Sequence, residues 1–426
     1  MPLVFITGAL VARAVGPEGK GILFLLGGVS GVLGSLFSFG LNAAAVYHYK
    51  QNSLSLGEIL AVCFFLSGLS MAVASLMFVI GANVFISVFM GTAETMTFQP
   101  VWIWLTLATF LLGLMSGPVT GLLIADGDMK LYALMSIYGS FLGIGLTWLF
   151  ALLLAWGITG VLLSQLLTAL LPIIILLNWM IRKGTVARLE LTRRAIREML
   201  RIGLQHYGLS LVAIVTKRFD AFLISGLLTV RDAGYFSIAS GVFNIFLSVP
   251  RAGTYPLIAK MASKDDDRLS RSNSLSRIQF TLMLALVVVF APFVLFFIRI
   301  VYGEAFLPAA GAVWLILPAI AGANLCVTTS AYLNGLGQAG RGIPPAIFGS
   351  VFQVITALIL LPRIGVEGSS IALGVSYLIT VVLLFFVTGR RELRLAEMSI
   401  VTEGDLRFVL SYLAGVWRGF RPVSPW

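Results

Sequence analysis

The sequence predicts an all-α polytopic membrane protein, with about twelve transmembrane helices in two pseudo-symmetric six-helix bundles and a short first helix. Three observations carry that expectation. Of 426 residues, 59% are hydrophobic and only 11% charged, whereas a water-soluble domain is about one quarter charged. The apolar residues run in long blocks with few charges, and roughly 18 or more such residues suffice to cross the hydrocarbon core. Short motifs also recur between the two halves at nearly one spacing. A soluble enzyme and a protein with one membrane anchor are both excluded.

The spans fall at roughly 1–15 (short), 21–47, 56–82, 100–124, 131–155, 158–181, 203–228, 233–260, 278–302, 307–333, 343–361 and 366–388. Residues 1–15 lack the positively charged n-region of a signal peptide and read as a first transmembrane helix with its beginning missing. The net charge of +11 is no sign of nucleic-acid binding, because the basic residues gather in alternate loops. With the N-terminus inside, the cytoplasmic segments hold Lys50, Lys130, the cluster Arg182 to Arg201, the cluster Lys260 to Arg277, Arg341, and Arg390 to Arg421. The outer segments hold only Arg13, Lys20, Arg231, Arg299 and Arg363. The positive-inside rule therefore places both termini in the cytoplasm, and the expected location is the cytoplasmic (inner) membrane.

The expected division is an N-terminal bundle over 1–182, a cytoplasmic amphipathic linker over 183–202, a C-terminal bundle over 203–388 and a cytoplasmic tail over 389–426. Within 183–201, Leu189, Leu191, Ile196 and Leu200 alternate with arginines, the pattern of a helix lying on the inner leaflet. In the tail, the stretch 406–417 is too short and too flanked by charge to span. Asp265, Asp266 and Asp267 sit in a loop rich in Ser and Arg and read as a solvated turn rather than an ion site.

The repeat is local but consistent. Gly157-Ile-Thr-Gly160 matches Gly365-Val-Glu-Gly368 at an offset of 208, and Asp128-Met-Lys130 followed by Gly139-Ser140 matches Gln338-Ala-Gly-Arg341 followed by Gly349-Ser350 at 210. Pro17 to Gly21 loosely matches Val230 to Gly234 at 213. Six spans per half give both halves the same orientation, the parallel arrangement in which secondary transporters hold substrate between repeats. Gly27 and Gly31 have the small-xxx-small spacing of closely packed helices.

Charges inside the spans point to a site. Ser210, Lys217 and Asp220 share one face of the seventh span, and Lys217 reaches Asp220 at i,i+3. Asn244, Ser248, Arg251 and Tyr255 form a polar stripe on the eighth. A charge at the bilayer centre costs about 2.5–3.5 kcal/mol on the lenient insertion scale, so ionisable residues there face protein or water and are functional by default. Lys217, Arg218 and Arg251 against Asp220 leave a net cationic set suited to a large anion, with guanidinium gripping phosphate oxygens bidentately. His206 reads as an ordinary interface residue. Cys63 and Cys326 lie in apolar runs and read as small buried hydrophobes.

Gly16-Pro-Glu-Gly-Lys20-Gly21 fails the spacing of a phosphate-binding loop, and no metalloprotease or nucleophile-elbow motif occurs. No enzyme activity and no cofactor or metal are expected. Energy would come from a proton or sodium gradient, the membrane potential or the substrate's own gradient.

Ala12-Arg-Ala-Val-Gly-Pro-Glu-Gly-Lys-Gly21 and Phe39-Gly-Leu-Asn-Ala43 resemble the opening of polysaccharide flippases of the O-antigen transporter type. Phe219-Asp220 through Asp232-Ala-Gly-Tyr235-Phe-Ser-Ile-Ala239 resembles the family's seventh-to-eighth helix segment. Asn334-Gly-Leu-Gly-Gln338 and Gly365-Val-Glu-Gly-Ser369 resemble its late helices. The resemblance implies the multidrug/oligosaccharidyl-lipid/polysaccharide exporter superfamily, alternating access, and transfer of undecaprenyl-pyrophosphate-linked oligosaccharide between leaflets. Arg13 would match the family's first-helix arginine near the cavity mouth. The expected substrate-binding set is then Arg13, Lys217, Arg218, Asn244 and Arg251, with Asp220 coupling to an ion. The expected partners are the lipid-linked oligosaccharide, membrane lipid, a glycan polymerase and glycosyltransferases, with no nucleic acid. The rival expectations are a drug/cation antiporter, whose cavity should hold more carboxylates than bases, a lipid II flippase, and a non-transporting partner of a glycan polymerase.

Overall fold

The computed structural model describes residues 2–85, 99–182, 190–262, 268–335 and 338–388. Every regular element among them is helical. In order these are α1 (Pro2–Phe37), α2 (Leu41–Gln51), α3 (Leu56–Phe85), α4 (Pro100–Asp126), α5 (Met129–Thr147), α6 (Gly157–Arg182), α7 (Arg193–Leu227), α8 (Val230–Ala262), α9 (Arg268–Phe290), α10 (Val294–Val301), α11 (Ala310–Gly335), α12 (Ile343–Ile364) and α13 (Glu367–Thr388). The all-α expectation holds. The Asp265–Asp267 turn, residues 183–189 and the tail from 389 lie outside the described residues.

Among the described residues, ten helices are long and apolar enough to cross a membrane. Two features explain the difference from twelve. The first and second spans run into one another through α1, counted once over Ile6–Phe37. The seventh span lies in α7, where arginines in the opening turns and Lys217, Arg218 and Asp220 farther along lower its apolarity. The segment 17–51 is itself interrupted. Gly40 sits at φ 64° and Phe39 at φ 44°, so α1 ends and α2 begins at a sharp turn within the expected 21–47 span. A Cβ on Gly40 would lie 2.1 Å from the Gly203 carbonyl oxygen of α7, so only glycine combines this backbone with this approach. Tyr207 stacks on Phe39 at 6.0 Å and its hydroxyl donates to the Leu36 carbonyl at 2.7 Å, taking up an acceptor at the C-terminal end of α1.

Helix starts follow capping chemistry. Ser55 and Glu58 form a reciprocal capping box at α3, as do Thr229 and Asp232 at α8. Asp128 and Thr192 cap α5 and α7.

Two compact units result. The first comprises Met1–Gly241 with Phe297–Ala312 and Ala357–Ser369. One of its cores gathers Ala44, Ile59, Leu60, Leu122 and Met199, and another gathers Ile22, Leu25, Ile103, Val161 and Ala221. The expected interfacial linker differs in its described part. Residues from Arg193 belong to α7, and Ala195 and Met199 are fully buried against α2, α3 and α4. Their apolar face is covered by protein, which removes the drive to lie on lipid. The second unit, Val242–Phe296, Val313–Thr356 and the residues from Ser370, is held by ring contacts such as Phe243–Tyr377 at 5.6 Å and Phe246–Phe290 at 5.4 Å.

Candidate functional site

A break between the two parts of α1 opens the way to the site. Gly16 has φ 67° and ψ −176°, which breaks α1 into two helices. Pro17 then begins the second, the position where its missing N–H costs nothing. Lys20 therefore stands in the first turn of a helix, whereas the sequence suggested a loop between two spans. Its ammonium lies 3.4 Å from the Gly8 carbonyl oxygen on the other side of the break.

Lys20 lines a cavity of about 770 Å³ within the first unit, bounded by both parts of α1 with α4, α5, α6 and α8. Its wall is rich in hydroxyls. Ser136, Ser140 and Thr147 project from α5, and Ser164, Gln165 and Thr168 from α6. Spacings of four place such residues on one face of each helix. Their protons are largely spoken for: Ser140 donates to the Ser136 carbonyl at 2.8 Å, Ser164 to Val161 at 2.7 Å and Thr168 to Ser164 at 2.7 Å. Because the Ser164 proton goes to Val161, Thr147 is the donor in its 3.0 Å contact with Ser164. Hydroxyls bonded back to the helix keep their lone pairs free to accept. Just beyond Thr147, α5 widens into a π-helical turn over Trp148–Leu153, a distortion frequent at functional sites.

Among the described residues lining the cavity, Lys20 is the single charged one and none is a carboxylate. Gly27, on the wall, has nothing within 4 Å of a Cβ position. It makes space rather than a helix contact. The close packing expected of the Gly27 region belongs instead to its neighbour Gly28, whose Cβ position lies 3.2 Å from the Phe222 ring on α7.

The residues expected to bind substrate are placed as follows. Arg13, exposed on the first part of α1, donates from Nε to the Val301 carbonyl at 2.9 Å and from Nη2 to that of Ile300. These are terminal acceptors of α10, where a cation also meets the negative end of the helix dipole. Asp220 is buried on α7 at 5% exposure. The stripe on α8 is real in its described part, with Arg251 Nη1 donating to Asn244 Oδ1 at 3.4 Å one face along the helix. Lys217 and Arg218 belong to α7, but their side chains, with those of His206 and Tyr255, lie outside the described residues. Sequence reasoning missed Lys20 and the α5–α6 hydroxyl faces. The Gly-Pro step before Lys20 and the spacing Ser136, Ser140 and Ser164, Thr168 were the signals that mark them.

The profile of the family described as Polysaccharide biosynthesis protein matches residues 10–311. The chain belongs to the polysaccharide biosynthesis protein family. Three solved structures are similar to this polysaccharide biosynthesis protein. One is a multidrug resistance MATE family transporter of the MOP superfamily in an inward-facing conformation, 16% identical, covering 90% of this chain and 92% of that one, with a TM-score of 0.75. The lipid II flippase MurJ in an inward closed conformation is 12% identical, covering 100% and 92%, with a TM-score of 0.76. The Vibrio cholerae MATE transporter VcmN in the bent form is 13% identical, covering 91% and 97%, with a TM-score of 0.58. No functionally curated protein matches the sequence significantly. At these identities the likenesses show the fold alone, that of polytopic helical membrane proteins.

Proposed function

We propose that this polysaccharide biosynthesis protein translocates an undecaprenyl-pyrophosphate-linked oligosaccharide from the inner to the outer leaflet of the cytoplasmic membrane by alternating access. The observation that supports this most is the first unit's cavity, lined by acceptor hydroxyls and one ammonium with no carboxylate among its described lining residues. A drug cation would need negative charge there, whereas a glycan offers O–H donors to such acceptors. The pyrophosphate would be met by Lys217, Arg218 and Arg251, assisted by Asn244 and Arg13, with the polyprenyl tail in lipid. Asp220 would couple transport to a proton or sodium gradient. The two halves of the chain, 1–182 and 203–388, would act as the moving bundles, both termini would be cytoplasmic, and a glycan polymerase and glycosyltransferases would act beside it.

A flipping assay with fluorescent lipid-linked oligosaccharide in liposomes tests the reading. The wild type should move the label between leaflets, and Lys217→Ala with Arg251→Ala should abolish movement while the protein still inserts. Unchanged flipping by the double variant would defeat the role of these residues. A wild type that expels organic cations but leaves the lipid in place would favour the antiporter.

A further inference from the structure

The helix break at Gly16 does more than turn the chain. It carries one ammonium into a hollow in which several hydroxyls donate to backbone carbonyls and keep lone pairs free to accept. A lysine head has three donors, and the Gly8 carbonyl at 3.4 Å occupies at most one of them. No carboxylate among the described lining residues neutralises it. A charge held inside a protein cavity is costly unless a ligand or water repays the desolvation. Four of the hydroxyls around it have the opposite hydrogen-bonding sense. Ser140, Thr168 and Ser164 have spent their protons on backbone carbonyls, as has Ser237 in donating to Gly234 at 2.6 Å. The wall therefore accepts from O–H donors while Lys20 donates to an anion.

We infer that this cavity is a binding site for a saccharide bearing an anionic oxygen group, with Lys20 as the charge partner of that group and the α5 and α6 hydroxyls accepting from the sugar. The inference rests on the transport reading for the identity of the passenger, and it adds Lys20 to the residues proposed to meet it. The anionic oxygens belong either to an acidic sugar of the glycan or to the pyrophosphate of its lipid anchor. A volume of about 770 Å³ is in the range of small-molecule sites and accommodates a few sugar rings rather than a long chain.

The test uses the full chain in nanodiscs of phosphatidylcholine. The probes are a glucuronate-containing oligosaccharide without lipid, its neutral counterpart, and undecaprenyl pyrophosphate without sugar. The wild type should bind at least one of the two anionic probes. Lys20→Gln should weaken that binding roughly tenfold, the scale of one lost charge-assisted contact, and Lys20→Arg should largely restore it. Gly27→Leu, which fills the hollow without touching the charge, should weaken it too. A response confined to the glucuronate probe assigns the acidic sugar, and one confined to undecaprenyl pyrophosphate assigns the anchor. On the wild type itself, the bound probe should protect Lys20 from acetylation by an amine-reactive reagent, read by mass spectrometry, so the outcome does not depend on any variant folding. Binding unchanged in Lys20→Gln, no protection of Lys20, or no binding of either anionic probe by the wild type overturns the site. The liposome flipping assay run alongside keeps the two readings apart. Binding and protection without flipping remove the transport reading and leave the site. Flipping with full activity and probe affinity in Lys20→Gln removes the site and leaves transport.

Discussion

Gly21 and Gly234 meet backbone to backbone with reciprocal geometry. A Cβ on Gly21 would lie 1.8 Å from the Val230 carbonyl oxygen, and one on Gly234 would lie 1.9 Å from that of Pro17. Each glycine faces the carbonyl four residues before the other, so Pro17 and Gly21 relate to Val230 and Gly234 by one offset of 213 residues. The contact thus joins the same two motifs that repeat in the sequence, as a local two-fold requires. Both positions demand glycine because no side chain fits, a steric matter rather than one of backbone freedom.

Gly21→Leu should therefore destabilise the protein. Overpacking a tight contact costs about 1–3 kcal/mol, and here the obstacle is backbone that cannot turn aside. Thermal unfolding in detergent should show a clear fall in midpoint, while Gly113→Ala, whose Cβ enters open space, should leave the midpoint in place. Equal midpoints for wild type and Gly21→Leu would mean that the crossing is not as close as described.

Arg13 offers a way to separate structure from transport. Its guanidinium caps the end of α10 through Ile300 and Val301. Loss of the cap in Arg13→Ala should cost about 1 kcal/mol of stability, and Arg13→Lys should recover part of it. If Arg13 also contacts the pyrophosphate, flipping in the alanine variant should fall well beyond what the remaining folded protein explains. Flipping in proportion to folded protein would confine Arg13 to capping.

At the opposite ends of the helices, Tyr49 on α2 donates its hydroxyl to Asp126 at the end of α4. This bond favours the neutral phenol and, with burial, pushes its pKa up to about 12 from an ordinary value near 10. A raised pKa means the folded state holds the proton longer. The bond's contribution is complete below about pH 10 and is lost as pH rises from about 10 to about 12. The tyrosinate absorbance that Tyr49→Phe removes should titrate near 12, and the variant's stability should lack the wild type's extra decline in that window. A removed signal centred near 10 would mean that the bond does not form.

Much of this architecture is written along the chain because lipid imposes it. With no water to satisfy the backbone, long apolar runs must become helices, and capping pairs such as Ser55–Glu58 and Thr229–Asp232 mark where they begin. The Asn244–Arg251 stripe was likewise legible, since helical periodicity is local. Lys20 was not. A Gly-Pro-Glu-Gly run reads as a loop, and only the packing of Gly21 against α8 shows that the helix restarts there. The hydroxyl faces of α5 and α6 were visible as spacings, yet nothing local distinguishes a hydroxyl lining a cavity from one bonded quietly to its own helix.

The sequence by itself determined that the chain is helical and membrane-embedded, because hydropathy is a property read residue by residue. Which cation stands in a hollow, which glycines make contact and which make room, and where α7 buries its arginine-flanked opening turns were decided only in three dimensions. Those outcomes depend on distances between residues far apart in the chain, and such distances exist only once the helices have packed.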